Sequence, residues 1–339
     1  MRRLSLPLVV FAIAAGAAWL AWQRWLDAPL QVPADGYLLE LPPGTTVTGL
    51  TRRLEADRVL GQGWLLAWQA RLSGQSRQLQ AGEYLVEPGT TPRGLLAQLV
   101  AGRVRLHALT IVEGWTVRDL LAALRAHPAI RHTLRAEGPQ ALAAELGLER
   151  PHAEGLFFPD TYRFPRGTSD IELLGQAHEL MQRRLAAAWA RRAPGLPLRD
   201  PYEALILASI IERETALDSE RPIIAGVFIR RLQRGMRLQT DPSVIYGLGS
   251  DFDGDLRRRD LRRDTPYNTY TRSGLPPTPI ALPGEASLLA AVQPAPGDAL
   301  YFVATGLPDG SHVFSATLAE HQAAVARYLR RLRSRQERN

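Results

Sequence analysis

Two glutamates, Glu212 and Glu214, close a run that is otherwise hydrophobic on nearly every face, residues 204–211, in the order Ala-Ser-Ile-Ile-Glu-Arg-Glu-Thr. Burying a carboxylate is costly unless it is paired or protonated, and burial raises its pKa toward neutrality. A carboxyl kept protonated near neutral pH is what a glycosidic oxygen needs from a general acid. The plainer reading is that the helix simply surfaces here, with Glu212 or Glu214 paired to Arg213, Arg221 or Arg237. Two residues apart on a helix means opposite faces, so the two carboxylates do not form a close catalytic pair with each other. Asp218, four residues after Glu214, shares its face or, more simply, caps the next helix.

A second set of chemical groups lies in residues 235–285, rich in Gly, Pro, Asp and Thr and with little periodicity. It holds Gln239-Thr240-Asp241-Pro242-Ser243 with Tyr246, then Tyr267-Asn268-Thr269-Tyr270, then Gly274-Leu275-Pro276-Pro277. Planar rings stack on sugar faces, and amides bond hydroxyl and N-acetyl groups. An ordinary proline-stiffened loop is the alternative. A structureless loop of ~50 residues is usually functional or disordered, and this one is rich in aromatics. Other chemistries drop out. There is no cysteine, so disulfides, thiolate metal sites and cysteine nucleophiles are absent. The seven histidines show neither HExxH spacing nor clustering, so no metal site is expected. No phosphate-cradling or dinucleotide glycine motif and no Gly-x-Ser-x-Gly occurs, and no cofactor is called for.

The elements that position these groups read as follows. Asp200 is a candidate N-cap, with Pro201 at the first helical position and Glu203 three residues after the cap, opening a buried helix to about residue 216. Residues 170–192 and 220–234 read as further helices, Tyr301-Phe302-Val303-Ala304 as a strand, and 316–336 as a terminal helix rich in arginine. Upstream, one pattern recurs three times. Pro43-Gly44-Thr45-Thr46, Pro88-Gly89-Thr90-Thr91 and Glu113-Gly114-Trp115-Thr116 each follow a strand-like segment (residues 37–41, 82–86, 107–112). Each leads into leucines at i and i+4, which makes a strand–turn–helix unit with a capping threonine. Small βα units of this sort resemble LysM modules, which hold glycan strands. A structural spacer sharing the unit has at least equal weight.

At the N-terminus, Arg2 and Arg3 precede an uncharged stretch, residues 4–23, with Trp19, Trp22 and Trp25 toward its far end. About twenty apolar residues span a bilayer as a helix, and tryptophan favours the interface. Ala15-Gly16-Ala17 would serve as a signal cleavage site, but apolar character continues to Leu26, which a signal peptide does not need. An uncleaved, N-in, single-pass anchor is therefore expected, followed by a linker over residues 27–36, with the remainder outside the cytoplasm. The formal net charge is +7 and every cation in the 41 is arginine. Charge alone does not choose between nucleic acid, anionic lipid and an acidic polymer. Behind an export anchor, the arginine-rich residues 328–338 meet lipid or solvent rather than nucleic acid.

The run from Ala208 to Ala216, with Ser219-Glu220-Arg221 and residues 227–232, resembles the MltG (YceG-like) family of endolytic murein transglycosylases. The likeness continues through residues 235–242, Tyr267-Asn268-Thr269-Tyr270, Gly274-Leu275-Pro276-Pro277, Tyr301-Phe302-Val303, Glu154-Gly155 and Pro159-Asp160-Thr161. Arg213 stands where the family pattern has lysine, and Thr278-Pro279 where Gly-Pro is common. The resemblance implies an α+β protein: a transmembrane anchor (1–26), a LysM-like βα-repeat region (37–149) and a mixed α+β catalytic domain (150–339). It also implies a carbon–oxygen lyase in the inner membrane with its catalytic domain in the periplasm or an equivalent space. Such an enzyme cuts the β-1,4 bond between N-acetylmuramic acid and N-acetylglucosamine in nascent strands, leaves 1,6-anhydro ends and terminates elongation. Glu214 is then the catalytic residue, Glu212 tunes it, and Gln239, Asp241, Tyr246, Asn268 and Tyr270 line the glycan cleft. Peptidoglycan strands are the substrate, and peptidoglycan synthases (penicillin-binding proteins) are candidate partners. Two alternatives stay open: a hydrolytic muramidase with Asp218 or Asp241 as second carboxylate, and a non-catalytic glycan-binding scaffold.

Overall fold

Residues 6–336 are described by the structure, a computed structural model; Arg2 and Arg3, invoked above for orientation, lie outside them. Helix α1 (Leu6–Leu26) is long and apolar enough over 19 residues, Leu8–Leu26, to cross a membrane. At 1.5 Å per residue that is about 28 Å, close to the ~30 Å hydrocarbon core. Its side chains are exposed from Leu8 to Ala21, whereas Leu26 is fully buried in the domain that follows. The whole is a mixed α+β protein whose contacts divide it into two units.

The first unit runs to Ala108 and takes in residues 163–168. Strand β1 (Tyr37–Leu41) pairs antiparallel with β2 (Gly82–Val86), with Leu39 opposite Tyr84, both fully buried. Helices α2 (Val47–Ala56) and α3 (Gly63–Leu72) connect the two strands, and α4 (Pro92–Val100) follows β2. The repeated threonine does the same work twice. Thr46 accepts from the Gly49 amide and Thr91 from the Gly94 amide, satisfying an N–H that the first helical turn leaves free. The leucines behind each cap, Leu50, Leu54, Leu95 and Leu99, fill one core.

The chain leaves the first unit within β3 (Leu106–Thr110) and returns to it within a later strand, so the third copy's helix, α5 (Val117–Ala126), belongs to the second unit. Thr116 caps it and forms a full capping box with Asp119. Short α6 (Pro139–Glu145) and β4 (Thr161–Pro165) precede α7 (Asp170–Ala190), which Ser169 and Glu172 cap reciprocally.

Helix α8 (Pro201–Glu214) is the centre of the second unit, and every residue from Ala204 to Ile211 is buried. Asp200 accepts from the Glu203 amide as the cap pattern predicts, but Glu203 turns to the Arg199 amide rather than back to Asp200, so the box is half formed. α9 (Arg221–Gln233) packs on α8, and Ser209 fixes a third neighbour by accepting from the Ile280 amide. The region expected to lack periodicity contains α10 (Asp241–Leu248) and α11 (Arg258–Arg262), and is followed by α12 (Glu285–Val292), which packs across α8. A hairpin of β5 (Tyr301–Ala304) and β6 (His312–Ser315) and helix α13 (Leu318–Gln336) complete the unit. Each Leu or Ile buried around α8 contributes about 1.5–3 kcal/mol, so this helix end is held rigidly.

Candidate active site

Helix α8 delivers both glutamates in its last turn, and their surroundings separate them. Glu212 is nearly buried. One carboxylate oxygen meets Arg221 Nη2 at 3.2 Å, and the other accepts from the Gly284 amide at 3.0 Å. Arg221 in turn reaches Ser287 and Asp218. Glu212 therefore ties α8 to α9 and to the start of α12, with both carboxylate oxygens partnered.

Glu214 faces a cleft of about 540 Å³. Part of its side chain meets that space, but the carboxyl itself is surrounded by protein and accepts a short hydrogen bond from the Thr240 hydroxyl. Burial pushes its pKa to about 7, against the Thr240 bond, and the neighbouring Asp241 carboxylate pushes the same way. No ion pair reaches it among the described residues, and the Arg231 guanidinium, whose charge lowers the Glu214 pKa from a distance, makes its hydrogen bonds elsewhere. Arg231 is itself almost buried and donates to the carbonyls of Leu300 and Leu238 at 2.6 and 2.8 Å. A carboxyl protonated around neutral pH at the wall of an open cleft can give a proton and take one back.

The cleft also holds Gln239, Asp241, Tyr270, Tyr301, His312 and Tyr328. Asp241 opens α10, and its Oδ1 accepts from the Tyr270 hydroxyl at 2.5 Å. Burial and that carboxylate push Tyr270 well above the usual phenol range, so it is a donor throughout. Gln239 adopts φ +50°, a left-handed conformation uncommon outside glycine, and its amide donates to the Thr269 carbonyl. That turn sends Thr240 toward Glu214. Backbone strain at such a position is the kind found where a site is held in place.

Of the residues expected at the site, five to line the cleft and Glu212 to tune Glu214, Gln239, Asp241 and Tyr270 meet Glu214 there, and three lie elsewhere. Glu212 is in the Arg221 pair. Asn268 is fully buried beneath the loop, where its Nδ2 donates to the Asp260, Leu261 and Arg263 carbonyls and its Oδ1 accepts from the Tyr270 amide. It organises the turn that presents Tyr270. Tyr246, five residues along α10 from Asp241, borders a separate cavity of about 370 Å³ and donates to Glu154 at 2.9 Å. Glu154, whose Oε1 also accepts from the Val117 amide, is likewise pushed to about 7 by burial. Asp218 is 85 % exposed, lies outside the cleft and pairs with Arg221; the cap position of α9 falls to Glu220.

Thr240, Arg231, Tyr301 and His312 were not singled out by the sequence as site residues. Thr240 stood inside a quoted motif, but only the fold shows that its hydroxyl meets a carboxyl 26 positions away. Arg231 resembled any helix-surface arginine, and no spacing signals that it points inward.

The sequence profile of the YceG-like family matches residues 39–327. An endolytic murein transglycosylase of Bacillus subtilis (strain 168) is 28% identical over 332 residues, covering 93% of this chain and 91% of the relative. A Streptococcus pneumoniae protein of the same name (strain D39) is 26% identical over 358 residues, covering 95% of this chain and 64% of its own longer sequence. A solved YceG-like protein from Listeria monocytogenes superposes with a TM-score of 0.51 at 27% identity, covering 86% of this chain and 99% of that one. On a match that spans most of its length and includes both glutamates and the whole of the cleft loop, the chain belongs to the YceG-like family.

Proposed function

We propose that the protein is a lytic transglycosylase acting on peptidoglycan, with Glu214 as its single acid–base group. The observation that carries this reading is the Glu214 carboxyl, without a cation partner, pushed to about 7 at the wall of an open cleft. Protonated Glu214 gives its proton to the glycosidic oxygen between N-acetylmuramic acid and N-acetylglucosamine. The resulting carboxylate accepts the proton of the muramoyl C6 hydroxyl, which attacks C1 and closes a 1,6-anhydro ring. The nucleophile comes from the substrate, so a second carboxylate is not required, in contrast to hydrolytic glycosidases, whose paired carboxylates lie ~5–9 Å apart. The Gln239 side-chain amide supplies a donor, and the Tyr270 hydroxyl oxygen and the Asp241 carboxylate supply acceptors, for the sugar hydroxyl and N-acetyl groups.

Asp241 supports a second reading, because it shares the cleft with Glu214 and would be the extra carboxylate of a hydrolase. Mass spectrometry of the fragments released from glycan strands separates the two: 1,6-anhydro ends are expected, and reducing ends would assign hydrolysis through Asp241. Helix α1 fits a single-pass anchor in the cytoplasmic membrane with the second unit on the outer side, near strands emerging from peptidoglycan synthases. In the first unit, two helices between antiparallel strands support a glycan-holding, LysM-like role.

A further inference from the structure

Helix α3 carries an exposed apolar face. Trp64, Trp68 and Leu72, at i, i+4 and i+8, form one stripe and are 61%, 54% and 64% exposed. Soluble surfaces do not usually carry two bare indoles and a leucine in a row. The stripe does not stand alone. Trp19 and Trp22 of α1 line the same trough of about 330 Å³ as Trp64, Trp68 and Leu72. Arg71, seven residues after Trp64, lies on the flank of the stripe.

We infer that the Trp64–Trp68–Leu72 face of α3 sits in the headgroup boundary of the bilayer that α1 enters, as a second, in-plane membrane contact. This rests on the reading of α1 as a spanning helix. The continuity of the surface selects the occupant. α1 is exposed from Leu8 to Ala21, and its indoles mark the end nearest the folded unit, the level at which a span meets headgroups. The α3 stripe abuts those indoles, so the same lipid boundary that receives Trp19 meets Trp64 and Trp68. Indole rings are suited to this layer, with an apolar body and an N–H for headgroup oxygens, and an arginine on the flank of the stripe, Arg71, favours anionic lipid. A soluble protein reaching this stripe would have to enter the headgroup layer.

The absence of cysteine makes the test direct. Single-cysteine variants Trp68→Cys and Leu72→Cys of the full-length chain, spin-labelled in vesicles of phosphatidylethanolamine and phosphatidylglycerol, report collision with oxygen, which concentrates in lipid, against a water-soluble nickel complex. Labels at Arg103→Cys and Val10→Cys serve as references. Arg103 is exposed and lies beyond the end of α4 opposite to Arg93, which bonds Asp27 at the foot of α1. Oxygen collisions should exceed nickel collisions several-fold at 68 and 72, with the order reversed at 103. Nickel-dominated behaviour at 68 and 72 overturns the proposal. If position 10 is then oxygen-dominated, the anchor stands and only the α3 contact fails; if it is not, both fail. Labels at 68 and 72 shielded from both reagents would mean that a second protein surface covers the stripe, which also overturns it.

Discussion

Each unit buries a glutamate, and the two are treated in opposite ways. Glu83 of the first unit, 3% exposed, is met by His107 Nε2 at 2.5 Å and Arg166 Nε at 3.3 Å. Burial alone would raise its pKa, but these partners hold it below the usual carboxylate range. Glu214 of the second unit touches no cation among the described residues: it has a hydroxyl, a nearby like charge and the weaker, longer-range pull of Arg231, and burial carries it up to about 7. A buried acid tied to an arginine and an imidazole is held toward its ionised form. One left with a hydroxyl in a cleft spends part of its time protonated and is free to exchange that proton.

The largest effect expected from breaking this contrast is catalytic. Glu214→Gln keeps size and the bond from Thr240 but removes the transferable proton, so anhydro-ended fragments should fall by at least ~10²–10⁴-fold in a folded protein. Near-normal release from a folded variant would remove Glu214 from the mechanism. Glu212→Gln should act mainly on the fold. It leaves the nearly buried Arg221 short of its closest buried anion, and losing one partner of a buried pair costs about 3–5 kcal/mol in unfavourable cases. A chemical denaturation midpoint shifted down, with much of the per-molecule rate retained at low temperature, is the expected pattern.

The pH dependences have opposite signs. Folded Glu214 titrates near 7 against 4.5 for a free side chain, so between those values the fold holds a proton that the unfolded chain releases. Stability therefore falls as pH rises from about 4.5 to 7, by about 3 kcal/mol at most. Glu214→Gln removes that loss, so the variant should gain on the parent between pH 5 and 8; melting curves at both pH values check this. Glu83 works the other way: its contribution is present above the unfolded pKa of 4.5 and is lost as pH falls through its lowered folded value. Glu83→Gln should cost the first unit about 1.5–3 kcal/mol at pH 7 and less in acid. Equal losses at both pH values would mean that the ion pairs contribute nothing. The smallest effect belongs to Asp218→Asn. An exposed ion pair is worth about 0–1 kcal/mol, so stability and product yield should barely change. A severe loss of activity would restore Asp218 as a second carboxylate.

The local features were legible in the sequence because they depend on near neighbours. Thr46, Thr91, Thr116 and Asp200 cap the helices their spacing announced, since a cap needs only an amide three residues on. The all-apolar run before Glu212 marked a buried helix, and the same run implied that a carboxyl at its end would be perturbed. α10 was hidden: eight residues beginning Asp-Pro-Ser, followed by Gly249, carry no helical period strong enough to read. Tertiary structure alone decided which glutamate is paired and which faces the cleft. Glu212 and Glu214 share one helix end and one composition, and nothing nearby in the chain distinguishes them. Arg221 and the Gly284 amide close around the first, while the φ +50° turn at Gln239 brings Thr240, and no free cation, to the second. Tyr246 was drawn elsewhere by Glu154, 92 positions away, and Asn268 by three carbonyls of its own loop. Spacing sets which face of a helix a side chain takes. What waits on that face comes from chain segments tens of residues away, and the charge state of a buried acid depends on them.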